Sequence, residues 1–170
     1  MAERFEQVAL PHLDAAYNLA RWLMRSPADA EDAVQEAYLR AMRFFDSFRG
    51  GDSRAWMLKI VRNTCYSWTR KKRTAGAEEP FDETAHTSEE KRENAEAKLV
   101  AQEEGERVRK ALEALPQAFR EVLVMREIEG LSYKEIADVM GVPMGTVMSS
   151  LSRARQKMRE QLQIPARKEA

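Results

Sequence analysis

The stretch that decides the fold is GLSYKEIADVMGVPMGTVMSSLSRAR, residues 130–155. Ser132 suits a helix N-cap, and Glu135 follows at capping-box spacing. A short helix comes next, with Ile136, Ala137, Val139 and Met140 on its apolar side. Gly141 can adopt the left-handed conformation that stops a helix, and Pro143 suits the start of another. In that second helix Val147, Leu151, Ala154 and Met158 share one stripe at the 3.6-residue period. Gly145, Ser149, Ser152, Arg153 and Gln156 fall opposite. Ala137 is small enough for the two helices to cross closely. The pattern reads as a helix-turn-helix whose outer face offers small residues for close approach to a groove. Arg153 and Gln156 supply donors for base edges or phosphates. An ordinary helical hairpin with a solvated polar face fits the same pattern, so the surrounding chain has to decide between them.

Length and composition bound that choice. The 170 residues suit one or two small domains, and 44% apolar residues suffice for helical cores. No apolar run is long enough for a membrane span and no signal peptide opens the chain, which points to a soluble, cytoplasmic protein without membrane insertion. Cys65, with only His12 and His86 as further soft ligands, makes neither a disulfide nor a zinc site. No cofactor, metal or catalytic residue is expected. The zero net charge hides a division. Residues 1–73 carry 13 basic and 9 acidic side chains, residues 74–106 carry 3 and 11, and residues 107–170 carry 12 and 8. Two basic ends flank an acidic middle, as expected of two polyanion-binding modules on a self-repelling tether.

The N-terminal part reads as three helices. The first spans about Glu3 to Met24, with Phe5, Val8, Ala9, Leu13, Ala16, Tyr17, Ala20 and Leu23 at helical spacing and Pro11 kinking or dividing it. Ser26-Pro27 opens the second, which runs to about Phe45. Its inner stripe is Ala30, Ala33, Val34, Ala37, Tyr38, Ala41 and Phe45. Its outer stripe holds Asp32, Gln35, Glu36, Leu39 and Arg43, either a solvated face or a dock for a basic, partly apolar helix. The loop Asp46–Ser53 contains Gly50-Gly51, with Phe48 to stack and Arg49 to bind phosphate; Ser53 can cap the third helix. That helix, to about Lys72, buries Met57, Leu58, Val61, Cys65 and Trp68. It presents Trp56, Lys59, Arg62, Asn63, Tyr66, Ser67 and Arg70, a mixture of rings and cations that suits single-stranded nucleic acid. Core filling by Trp56 and dipole compensation by the terminal basic run are the plainer readings. From Thr74 to about Ala95 periodicity is lost and a disordered linker is expected. Helices resume from about Glu96 to Leu115 and from Pro116, the latter with Phe119, Val122, Leu123, Met125 and Ile128 inward. No strand-like alternation appears. The expected fold is all-α: two small helical domains, residues 1–73 and 96–165, joined by a flexible acidic linker over 74–95.

These residues, taken as an ordered set, resemble the extracytoplasmic-function group of bacterial RNA polymerase sigma factors. The likeness rests on Asp29-Ala30-Glu31-Asp32-Ala33-Val34-Gln35-Glu36-Ala37, on Phe48–Ser53 followed by Trp56, Ile60, Asn63 and Thr64, and on Leu115-Pro116 with Gly130–Arg155. It implies a non-enzymatic sigma factor with a region 2 domain and a region 4 domain, directing promoter-specific initiation. Asp29, Glu31, Asp32, Gln35, Glu36 and Leu39 would dock on the coiled coil of the polymerase's largest subunit. Phe48, Arg49, Asp52, Ser53, Arg62, Asn63, Tyr66 and Arg70 would hold the opened −10 element of promoter DNA. Pro143, Thr146, Met148, Ser149, Ser152, Arg153, Arg155, Gln156 and Lys157 would meet the −35 element. An anti-sigma factor is the further partner implied. The chain departs from the family pattern at Met148 and Ser150, where basic residues are common, which removes contacts the −35 element would otherwise receive. A stand-alone helix-turn-helix regulator is the alternative function; it would bind duplex DNA tightly without polymerase.

Overall fold

A computed structural model of the chain describes residues 2–24, 26–74 and 95–168. Every element among them is helical: α1 (Ala2–Ala9), α2 (Leu13–Leu23), α3 (Pro27–Arg43), α4 (Ser53–Thr74), α5 (Ala95–Glu113), α6 (Gln117–Leu123), α7 (Tyr133–Met140) and α8 (Met144–Lys168). The linker expected over 74–95 lies, apart from its two end residues, outside the described residues.

Pro11 divides the first helix rather than bending it. A 3₁₀ turn over Leu10–His12 separates α1 from α2, and the Leu13 N–H reaches back only to the Leu10 carbonyl. The Ala9 carbonyl accepts instead from Tyr38 Oη at 2.8 Å, which satisfies a backbone group at the break. The tighter turn shifts the helical phase, so Leu13, expected inward, is exposed. The Ser26 side chain caps α3 by accepting from the Asp29 N–H at 3.2 Å. α3 ends two residues earlier than expected, and Phe45 enters the core from a separate 3₁₀ turn over Phe45–Ser47.

The cap of α4 also differs from expectation. Asp52, not Ser53, accepts from the Ala55 N–H at 3.0 Å. The Ser53 hydroxyl lies 2.8 Å from His12 Nε2, tying the start of α4 to the first turn of the chain. Asp is as good an N-cap as Ser, and whichever residue sits at the break in helical geometry takes the role. Gly50 and Gly51, both at φ near +87, make the turn before it. Met57, Leu58, Val61 and Cys65 are buried along α4 as expected, whereas Trp68 is only partly buried.

In the C-terminal half, α6 passes into a π-helical turn over Val124–Ile128. There the Glu129 N–H bonds the Val124 carbonyl and the Leu131 N–H bonds that of Met125. The wider turn delays the phase of the side chains. Val124 becomes buried and Ile128, expected inward, is half exposed. The α7–α8 pair matches the expected motif closely. Ser132 and Glu135 form a reciprocal capping box, and Gly141 closes α7 in the left-handed region. Its N–H and that of Val142 both reach the Ala137 carbonyl.

The two halves pack on each other. α4 lies against α7 and α2 against α6, so the buried apolar residues of both halves form one continuous cluster. Arg120 reinforces the junction, donating to the Trp22 carbonyl at 2.9 Å and to the Leu115 carbonyl at 3.0 Å.

Candidate nucleic-acid and polymerase interfaces

α8 has two unlike faces. Val147, Leu151 and Ala154 are fully buried in the cluster that includes Ile136 and Val139 of α7. Thr146, Met148, Ser149, Ser152, Arg153, Gln156 and Lys157 are exposed, as is Pro143 just before the helix. The Pro143 carbonyl accepts from the Thr146 and Val147 N–H groups and so starts α8. Arg155 stands apart from this set. Its guanidinium donates to Glu127 at 2.8 Å, and that bond raises its pKa. Arg155 is therefore engaged within the chain, and Arg153 is the exposed arginine of the face. Lys157 lies over the Phe119 ring, 5.9 Å from its centroid. Met148 is half exposed among small polar neighbours, and Ser150 is half buried.

The loop before α4 is built on an aromatic cluster. Phe48 stacks on Phe45 at 6.1 Å and tilts against Trp56 at 5.1 Å, while Phe45 meets Phe5 edge-on at 5.4 Å. Phe48 thus shapes the loop, and Arg49, Asp52 and the two glycines form its exposed rim. Trp56 is partly buried in the same cluster, so part of its ring serves as core filling. A cleft of ≈620 Å³ separates this rim from the turn of the helix-turn-helix, lined by Arg49, Lys59, Asp138 and Val142 among others.

Further along α4, Asn63 and Arg70 are exposed, but Arg62 is not free. Its Nε and one terminal nitrogen donate to both oxygens of Glu121, at 2.9 and 3.0 Å. The guanidinium also lies over the Tyr66 ring, 4.3 Å from its centroid. Burial pushes the Glu121 carboxyl above the usual range, against the pull of Arg62 and Tyr66. For Arg62 burial acts downward, yet the hydrogen bond and charge of Glu121 outweigh it and hold the guanidinium firmly protonated. The two directions agree on one physical point: desolvation dominates Glu121, and Arg62 is what keeps a carboxylate tolerable there. Sequence reasoning passed over Glu121. Its spacing of four from Met125 places it on the apolar side of α6, which marks a carboxylate in need of a partner.

On α3, Glu31, Asp32, Gln35 and Leu39 are exposed, with Leu39 at 63%. Asp29 lies in the first turn, where a carboxylate complements the helix dipole. Glu36 is committed internally. It accepts from Arg40 at 3.1 Å and from Trp68 Nε1, and the Trp68 bond is the main cause lowering its pKa.

No helix among the described residues is long and apolar enough to cross a membrane, and none of them cluster as metal ligands. Comparison with known proteins shows the family. Residues 9–75 match the family model for sigma-70 region 2, and residues 105–158 match that for sigma-70 region 4. The ECF RNA polymerase sigma-E factor of Escherichia coli K12 is 34% identical over 79% of this chain and 74% of its own length. The ECF RNA polymerase sigma factor SigE of Mycolicibacterium smegmatis is 33% identical over 93% of this chain, which spans 61% of that relative. Among solved structures, the sigma factor RpoE from Bartonella quintana, in complex with the anti-sigma factor NepR, superposes with a TM-score of 0.77 at 29% identity, covering 95% of this chain and 98% of its own. CnrH in complex with the cytosolic domain of CnrY gives 0.67 at 26% identity, covering 96% and 90%. With both family regions in order on one all-helical chain, this protein belongs to the ECF group of the sigma-70 family of RNA polymerase sigma factors.

Proposed function

We propose that this chain is an alternative sigma factor that joins core RNA polymerase in the cytoplasm and directs it to a particular set of promoters. It acts by binding and leaves the chemistry to the polymerase. The observation that carries the reading is the two-faced α8: its apolar stripe is locked into α7, and Ser149, Ser152, Arg153 and Gln156 are left together on the open side. Small residues there let the helix enter a major groove, and Arg153 supplies a bidentate donor.

In this reading residues 105–158 hold the −35 element, with Arg153 leading and Lys157 on phosphate. Arg155 takes part only if it leaves Glu127. Residues 9–75 hold the −10 element through the Arg49–Ser53 rim and the Asn63–Arg70 side of α4. The exposed carboxylates Glu31 and Asp32, with Gln35 and Leu39, dock on the largest-subunit coiled coil. Basic side chains there would meet the carboxylates, and Leu39 would gain the burial it lacks here. The anti-sigma factor NepR accompanies RpoE in its solved structure, and a protein of that kind is the expected antagonist of this chain.

The test is transcription with purified core polymerase on promoters mapped by transcript start sites after overexpression. Specific initiation that requires this chain is expected. Tight, specific duplex binding by the chain alone, with no effect on core polymerase, would sink the proposal in favour of a stand-alone regulator.

A further inference from the structure

The contact between the two halves contains charge that an inert packing surface does not need. Two charged partners on the N-terminal side belong to α4. Near its start, Arg54 grips Glu135 of α7 in a fork, with nitrogen–oxygen distances of 2.9, 3.0 and 3.2 Å. Eight residues on, Arg62 grips Glu121 of α6 in the same two-oxygen manner. At 1.5 Å per residue the two pairs sit about 12 Å apart along α4. Glu121 has no exposed side-chain surface, and Arg62 retains 19%.

A guanidinium fork that fits a carboxylate also fits a phosphate. In the closed arrangement the Arg62 fork is filled by Glu121, and Arg62 in turn covers the Tyr66 ring on which a base would stack. We propose that the chain carries its own clamp, in which Glu121 and Glu135 of the C-terminal half hold Arg62 and Arg54 of α4, and that Glu121 occupies the place of a strand phosphate until the halves part. The clamp itself follows from the contacts; only what it masks rests on the promoter-strand role given to α4 above.

The choice of ion pairs is itself informative. Burying two charges costs their hydration, and an apolar pair of similar volume would hold the halves at least as well. An ion pair differs in what it allows on opening. Each partner then finds water or an opposite charge, whereas an apolar pair in its place would add to the apolar surface that parting the halves already lays bare. Glu135 also has a second duty, because its carboxylate accepts from the Ser132 N–H in the capping box of α7. The clamp therefore ends on the first turn of the helix-turn-helix, and parting the halves leaves that cap in place.

The test compares the full chain with Glu121→Gln and Arg54→Ala, neither of which alters a residue assigned to DNA. Small-angle scattering reads the separation of the halves. Anisotropy of a labelled, AT-rich single-stranded oligonucleotide reads access to α4. Both variants are expected to expand, and to bind the oligonucleotide about tenfold more tightly, the scale of a lost charge-assisted hydrogen bond. Circular dichroism confirms that each variant keeps its helices; Arg54 is partly exposed, so Arg54→Ala stays informative even where Glu121→Gln fails to fold. Native helicity with unchanged dimensions in Arg54→Ala overturns the clamp. Expansion with no gain in oligonucleotide binding overturns the masking and the strand-binding role of α4, while leaving the closure established.

Discussion

Leu151→Ala tests the orientation of the helix on which the functional reading turns. Leu151 is 1% exposed, between Val147 and Ala154 on the buried stripe of α8. Truncating a leucine so enclosed removes its transfer free energy and leaves a cavity, a loss of about 3 kcal/mol within the usual 2–5 range. At roughly 2–4 °C per kcal/mol for a chain of this size, the midpoint of thermal unfolding should fall by about 6–12 °C. Ser152→Ala, one residue on but on the open face, should change stability by less than about 0.5 kcal/mol. Urea unfolding followed by circular dichroism measures both, and the slope with denaturant shows whether the unfolded state has shifted. If Leu151→Ala were neutral, or Ser152→Ala cost as much, the two faces of α8 would be reversed. The assignment of Ser149, Ser152 and Arg153 to DNA would then fail with them.

Other consequences follow from the same geometry. Asp32→Arg should reduce recovery of core polymerase in a pull-down severalfold without changing thermal stability, since Asp32 is exposed; full recovery would remove that face from the docking surface. Arg153→Ala should lower −35-dependent transcription by about tenfold, in line with the 1–3 kcal/mol of a bidentate base contact, while core binding stays as it was. Met148→Arg should make duplex binding more salt-sensitive, steepening the logarithmic slope by about 0.9 for one added phosphate contact; an unaltered slope would place Met148 away from the backbone. Stability should also respond to acid through Glu135. Burial acts to raise its pKa, but the hydrogen bond from Arg54, helped by Ser132 and Asp52, holds it down at about 2 against an ordinary 4.5. Its contribution is present above pH 4.5 and lost as pH falls towards 2, so Glu135→Gln should flatten the acid limb of the stability curve over that window.

Much of this was legible in the sequence because local chemistry settled it. Ser132, Glu135 and Gly141 fix the ends of α7 by hydrogen bonds within a few residues, and the distant partner that Glu135 finds in Arg54 leaves that cap in place. The period of Val147, Leu151 and Ala154 likewise needs no tertiary information. The readings that failed did so where the period changes. A 3₁₀ turn at Pro11 and a π turn after Leu123 each shift the phase, moving Leu13 and Ile128 outward and Val124 inward. At Asp52-Ser53 two good caps stand side by side; Asp52 takes the role, and Ser53 bonds His12 instead, 41 positions away in the chain.

The candidate site divides in the same way. Charge runs and rings along α4 are the pattern expected of a surface for a nucleic-acid strand, but periodicity cannot say that Arg62 has already found a carboxylate 59 residues away. The opposite case holds on α3, where Leu39 is 63% exposed with Asp32 and Gln35 on the same outer stripe. A leucine kept in water beside carboxylates gains nothing within the fold, and the docking proposed above would give it the burial it lacks. Under the proposed function, Arg62 and Leu39 would be two ways of holding a surface in reserve. The first has its partner's place filled from within, and the second leaves it open. Only the first needs something to be displaced, so opening of the halves should govern strand binding while docking through α3 should not depend on it.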